Sequence, residues 1–340
     1  MNTPTIRRAT LLSAAAVLSL TAVGCGNAEG GGEEAASADE TLNIAFFGFS
    51  SANSFAQATF DGIEEYAGEN NAEATFFDGE FDASTQVQQI QDATASGEYD
   101  VFIVQANDGA AVINPVEAAV NAGITVVAEF TPVGTEYDTA EAQIEGTYAV
   151  VDVPTDNGAA LGEMGALACE EVGGADDCTV AYLQGDPSLP LDNARNEAVY
   201  ASLDEHGVTD VIDSFEGGYS QDEGRSVGQD LLQAHPDVDV IIGSSQAILG
   251  VETILPEDHE VQLIGNGGSR QAVTAVQEGN WFATYFIPEA SAGAKAAEIG
   301  LGAARGEDVP TSFNTGTELD GAEQIGTAEA LEGVESDYDD

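Results

Sequence analysis

The sequence predicts an α/β protein built as two similar lobes with parallel sheets, and three observations carry that expectation. From 42 to 305, short apolar runs of strand length alternate with longer segments whose apolar residues recur at helical spacing. Alternation of this kind makes right-handed βαβ units around a parallel sheet. The series comes twice, with an irregular acidic stretch at 135–144 between the two runs, and residues 42–330 exceed the comfortable size of one hydrophobic core.

The first unit organises the rest. Residues 42–67, LNIAFFGFSSANSFAQATFDGIEEYA, read as a buried strand over 42–48, a short loop, and a helix with Phe55, Phe60, Ile63 and Tyr66 on one face. Ligands of open parallel sheets sit beyond the carboxyl ends of the strands, so the loop 50–55 is the first candidate site. Asn53 can donate and accept there, and Phe55 offers a flat apolar face. The alternative is that Asn53 only caps the helix and Phe55 only fills the core. Strands at 72–77, 101–104 and 124–128 follow, with helices at 84–96 and 111–121. A strand at 147–153 and a helix from Asp156 to near Cys169 lead into the second series, the second lobe being entered near Val153. Its strands are read at 179–183, 211–215, 238–242, 261–264 and 281–286, and its helices at 192–206, 222–234, 246–255, 270–278 and 289–305. The final short strands can return to either lobe.

The flanks read differently. Residues 1–24 carry Arg7 and Arg8, then an apolar run over 9–23, which is an export signal. The small residues before Cys25 resemble the lipobox of bacterial lipoproteins, with Ala22 where Leu is more usual. That resemblance implies a lipidated Cys25 holding the mature chain at the outer side of the cell membrane. The paired arginines leave both twin-arginine and general secretory export open. No later stretch approaches the roughly 20 apolar residues that a membrane span requires. Residues 25–41 are glycine, alanine, serine and acid, a flexible acidic tether, and the acidic tail 331–340 is read the same way.

Seven basic residues stand against 61 acidic ones, a net charge of -54. A surface so negative repels phosphate backbones and argues against nucleic acid. It keeps a protein soluble where salt screens the self-repulsion, which points to a salt-tolerant source. Beyond the signal the cations are Arg195, Arg225, Arg270, Lys295 and Arg305. Cys169 and Cys178, an even pair in an exported chain, read as a disulfide joining a helix end to the next strand, worth about 2–3 kcal/mol. A metal site is the alternative, with no histidine nearby.

Enzyme chemistry finds no support. His206, His235 and His259 lie at helix ends or turns with no second ligand at metal-binding spacing. Gly243-Ser244-Ser245 lacks the glycine pattern of a nucleophile elbow. Gly265-Asn266-Gly267-Gly268 has no following Lys-Ser/Thr for a phosphate, so it reads as a tight turn closely approached by a ligand. The pairs Glu64-Glu65 and Glu170-Glu171 are adjacent on helix surfaces and do not face one another across a cleft. No cofactor is expected. Arg195 follows the loop GDPSLPLD near the start of its helix, where a guanidinium can fork onto vicinal hydroxyls or a carboxylate; a surface ion pair is the alternative. Tyr219, Ser244 and Ser245 stand at the same rim.

With these loops in place, the chain resembles the type I periplasmic binding protein family, most of all the ribose-binding branch of ABC-transporter solute receptors. The likeness is strongest in 231–251, LLQAHPDVDVIIGSSQAILGV, together with 194–200 and 51–62, and it extends over 42 to about 326. The resemblance implies two Rossmann-like lobes joined by a three-segment hinge, an N-terminal lobe of 42–153 plus 288–314 and a C-terminal lobe of 154–287 plus 315–330. Asn53 and Phe55 match the family's first-loop pair, Arg195 its hydroxyl-reading arginine and Tyr219 its stacking aromatic. Elsewhere the chain departs: Gln105 stands where Asn is common, Glu129-Phe130-Thr131 replaces an Asp-Arg pair, Ser244-Ser245 replaces Asn-Asp, Gly267 replaces Asp and Phe286 replaces a hinge Gln. Those ten ligand positions, Asn53, Phe55, Gln105, Glu129, Phe130, Arg195, Tyr219, Ser244, Gly267 and Phe286, are what the resemblance implies. It further implies a monomer that passes a sugar-like, polyhydroxylated ligand to ABC permease subunits, without specifying a pentose. A sensory receptor signalling to a membrane kinase or chemoreceptor is the alternative. A transcription regulator of related fold is disfavoured, because an export signal stands where a helix-turn-helix would be.

Overall fold

The computed structural model describes residues 41–256 and 258–340. The export signal, Cys25 and the tether up to residue 40 lie outside the described residues.

The first run comprises β1 (Leu42–Gly48), α1 (Ser54–Glu69), β2 (Ala72–Asp78), α2 (Ala83–Ser96), β3 (Val101–Val104), α3 (Ile113–Asn121), β4 (Thr125–Phe130) and β5 (Thr147–Val151). The second comprises α4 (Pro154–Val172), β6 (Thr179–Gln184), α5 (Pro190–Glu205), β7 (Asp210–Glu216), α6 (Gln221–Ala234), β8 (Val240–Ser244), α7 (Ser245–Glu252), β9 (Gln262–Asn266), α8 (Arg270–Glu278) and β10 (Ala283–Phe286). The chain then returns through α9 (Glu289–Ala304), β11 (Ser312–Asn314), α10 (Thr315–Glu318) and β12 (Glu323–Thr327).

Among the described residues the strands form two six-stranded sheets, ordered β11-β5-β4-β3-β1-β2 and β12-β10-β9-β8-β6-β7. All pairings are parallel except that of β10 with β12. Strands of such sheets are buried on both faces and therefore read as continuous apolar runs. In β1, Ala45 and Phe47 face one core cluster while Ile44 and Phe46 face the other. Helix α9 returns to the first lobe and lies tight against α1, an approach only glycine permits. A Cβ at Gly62 would stand 1.7 Å from the Ala290 carbonyl oxygen, and one at Gly293 2.0 Å from that of Thr59. Cys169 and Cys178 form a disulfide that ties the end of α4 to the start of β6, with both residues buried.

Between the described strands the chain passes from lobe to lobe after β5, after β10 and between β11 and β12. A single hydrogen-bond network joins the three passages. Tyr285 Oη donates to Asp152 Oδ1 at 2.7 Å, Gln324 Nε2 reaches Tyr285 Oη at 3.4 Å, and Asn157 Nδ2 donates to Asp152 Oδ2 at 3.0 Å. Burial pushes the Asp152 carboxyl up to about 6, while Tyr285, Arg195 and Asn157 pull it back.

The segment 331–340 corrects the expectation from composition. Its acids mask Leu331, Val334 and Tyr338, and these anchor it to the second lobe: Leu331 and Tyr338 are buried, and Gln277 Nε2 donates to the carbonyls of Leu331 and Val334 at 2.7 and 2.9 Å. Arg270 pairs with Asp339 at 2.8 Å. From there the segment reaches across. The Asp340 carboxylate accepts from Ser54 Oγ of α1 at 2.7 Å and from Ser245 Oγ of α7 at 2.8 Å, and Asp337 accepts from the Ser291 backbone N–H of α9 at 3.1 Å. Asp340→Ala severs both serine bonds and is expected to let the lobes part more often, raising the radius of gyration in small-angle scattering. An unchanged curve would assign closure to the other contacts.

Candidate functional site

The carboxyl ends of both sheets face one another across a cavity of about 620 Å³, part of it open to solvent. That is a size ordinary for small-molecule sites. From the first lobe come Phe49, Asn53, Phe55, Phe81 and Phe130. From the second come Asn157, Leu189, Leu191, Arg195, Tyr219, Gln246, Asn266, Gly267, Gly268 and Tyr285, with Ile287 at the passage between lobes.

The first lobe presents aromatic rings. Phe55 meets Phe130 edge to face at 4.7 Å between centroids, Phe130 meets Phe49 at 6.1 Å and 89°, and Phe49 stacks on Phe81 at 6.2 Å. Phe81 stacks in turn on Tyr219 of the other lobe at 6.1 Å and 10°. Leu191 packs into the same cluster from the second lobe. Asn53 settles its two readings together, because its Oδ1 caps α1 by accepting from Ala56 N at 3.0 Å while the residue also lines the cavity.

The second lobe presents polar groups. Pro190 starts α5, and Arg195 lies in its second turn, 5% exposed, so the surface-pair alternative fails. Its Nη1 donates to Asp192 Oδ1 at 2.9 Å and lies 3.4 Å from Tyr219 Oη, which donates to the same Asp192 oxygen at 2.5 Å. Burial works against the guanidinium charge, but Tyr219 and Asp192 outweigh it and hold the Arg195 pKa above the usual arginine value. Its Nε is buried with no hydrogen-bond partner among the described residues, a donor free for a ligand. Asn157 and Asn266 exchange amide bonds at 3.1 Å on the facing side. Gly267 takes a φ of +136°, and it and Gly268 both line the cavity, so at this turn the backbone itself borders the cavity with no side chain between.

The other expected positions are placed elsewhere. Gln105 is fully buried, its Oε1 accepting from Phe49 N at 3.1 Å and its Nε2 donating to Glu129 Oε2 at 3.0 Å and to Thr59 Oγ1 at 3.2 Å. Glu129 is thereby held behind the aromatic wall. Burial pushes its carboxyl up to about 8, against the Gln105 bond, and burial also pushes up Glu289, with Glu129 adding to the effect. Phe286 points into the core of the second lobe because strand neighbours face opposite ways; Tyr285, one residue earlier, takes the cavity side. Ser244 caps α7 and donates to the Gly218 carbonyl at 2.8 Å, lining a small hollow beside Arg195 and Tyr219. Among the described residues, no group of three or more His, Cys, Asp and Glu side chains is arranged to hold a metal ion.

Reading the sequence missed Phe49, Phe81, Asn157, Gln246 and Tyr285. All but Phe81 stand at a strand carboxyl end or in the first turn of a helix, the position that marked loop 50–55.

A family model described as a periplasmic binding protein domain matches residues 44–308. The ribose import binding protein of Bacillus subtilis is 24% identical over 234 residues, 68% of this chain and 72% of that protein. An ABC transporter solute binding protein from Mycobacterium smegmatis, solved with bound glycerol, superposes with a TM-score of 0.72 at 24% identity over 88% of this chain and 100% of that one. Another from Bacillus halodurans, with bound myo-inositol, gives a TM-score of 0.72 at 18% identity over 89% and 99%.

Proposed function

The chain belongs to the periplasmic binding protein domain family, and from that premise we propose that it is the solute receptor of an ABC importer, binding a sugar or sugar-like polyol between its lobes. The observation that carries this reading is the inter-lobe cavity with rings on one side and Arg195, Asn157 and Asn266 on the other. Aromatic faces take the carbon face of a saturated ring, and the amides and the free Arg195 Nε take hydroxyls. Asn53, Phe55, Phe130, Arg195, Tyr219 and Gly267 are the ligand contacts we retain from the sequence. The moving bodies are 42–153 with 288–314 and 154–287 with 315–330, hinging shut around the ligand.

The receptor works outside the cytoplasm as a monomer, held to the membrane by a lipid on Cys25, and hands its ligand to permease subunits. Its acidic surface suits a salty medium. The relatives named above are described as binding ribose, glycerol and myo-inositol, which supports a small hydroxylated ligand here. A thermal-shift and calorimetric panel of D-ribose, myo-inositol, glycerol, deoxy sugars and O-methyl polyols tests it. At least one member is expected to raise the melting midpoint with a micromolar or tighter Kd. Silence across the panel, with a response to a peptide or a metal ion, would sink the reading.

A further inference from the structure

We propose that Phe81 and Phe130 make this cavity selective for a ring ligand that is hydroxylated along one edge and carries no hydroxyl along the other, such as a deoxy sugar or an O-methyl polyol. The inference rests on the sugar reading above and narrows it.

Three observations carry it. First, the first lobe keeps little polarity at the cavity: Gln105 and Glu129 bond to each other behind the wall, and Asn53, which lines the cavity, commits its Oδ1 to a helix cap and has only its amide N–H groups to offer. Most of the cavity's polar side is thereby supplied by the second lobe.

Second, the aromatic wall turns a corner. Phe55 and Phe130 stand at 67° and Phe49 and Phe130 at 89°, while Phe49, Phe81 and Tyr219 run nearly parallel. A ring lying flat on one of these faces meets another phenyl along its edge. A hydroxyl on that edge exchanges its hydrogen bonds to water for none, a loss of about 10–100-fold in affinity.

Third, the two rings are held there against the preference of their own backbone. Phe81 has a φ of +53° and Phe130 of +54°, the left-handed region that residues with a Cβ avoid. Strain of this kind persists where the surrounding structure fixes it, and it gathers at ligand sites.

Calorimetry on matched pairs tests the proposal: D-ribose against 2-deoxy-D-ribose, and myo-inositol against its mono-O-methyl ethers. In the wild-type protein the deoxy or methylated member of at least one pair is expected to bind about tenfold or more tighter than its parent. Phe130→Asn and Phe81→Asn supply a donor and an acceptor through a residue that tolerates left-handed backbone, and each is expected to shrink or reverse that ratio. The wild-type comparison decides even if a variant fails to fold. Parents that bind as tightly as their deoxy or methylated partners would overturn the proposal and leave the sugar reading standing. No binding by either member of any pair would overturn the proposal, and silence across the whole panel with a response to a peptide or a metal ion would overturn the sugar reading as well.

Discussion

Arg195→Ala is expected to lower the unfolding free energy by about 3–5 kcal/mol and to weaken binding of the tightest panel ligand by about 100-fold. The first effect follows from what is left behind. Asp192, 1% exposed, would keep the Tyr219 hydroxyl but lose the cation 2.9 Å away, and an unpaired buried carboxylate is among the most damaging things a core can hold. The second follows from the free Nε, which is the donor that a bound hydroxyl would meet. The double variant Arg195→Met with Asp192→Leu removes both charges and separates the two effects. It is expected to recover most of the stability in denaturant unfolding and none of the affinity. Full affinity in the double variant would remove Arg195 from the ligand's contacts.

Glu129 gives the second large effect, and its sign is set by burial. Its carboxyl titrates near 8 in the folded chain against an ordinary 4.5. Between those values the folded chain holds a proton that the unfolded chain has released, so rising pH favours unfolding by at most about 1.4 kcal/mol per unit. The group's contribution is complete below pH 4.5 and lost once pH passes about 8. Glu289 lies in the same network through Thr59, whose Oγ1 donates to Glu289 Oε1 at 2.9 Å and receives Gln105 Nε2. Glu129→Gln keeps the acceptor for Gln105 and removes the titration. Its unfolding free energy relative to the wild type is therefore expected to climb steadily from pH 5 to pH 8.5 in urea titrations. A difference flat across that range would mean that Glu129 is not held neutral.

How much of this was legible in the sequence depends on which physical signal each feature leaves. Strands buried on both faces leave unbroken apolar runs, so IAFFGF and VDVIIG announced β1 and β8 and, by repetition, two lobes. Arg195 stood out because cations are so few. Other site features leave weaker traces. Phe286 and Tyr285 differ only in strand parity, and a slip of one residue exchanges core for cavity. Gln105 and Glu129 were expected at the ligand on the family resemblance alone, but they bond to each other, a pairing visible only once β3 and β4 are side by side. Phe81 turns inward through a left-handed backbone that no periodicity encodes. The segment 331–340 hides Leu331 and Tyr338 among acids, so its composition spoke of solvent while its apolar residues found a core.

One small hydroxylated ring is expected between the lobes, mainly carbon against the first and oxygens against the second. A crystal structure of the protein with whatever ligand copurifies, or with the tightest panel member, decides it. Density is expected between the Phe55–Phe130 corner and Arg195, with ligand oxygens within about 3 Å of Arg195, Asn157 or Asn266, as ordinary hydrogen bonds require. A ligand bound outside the cleft, or one whose hydroxyls all face the phenylalanines, would contradict it.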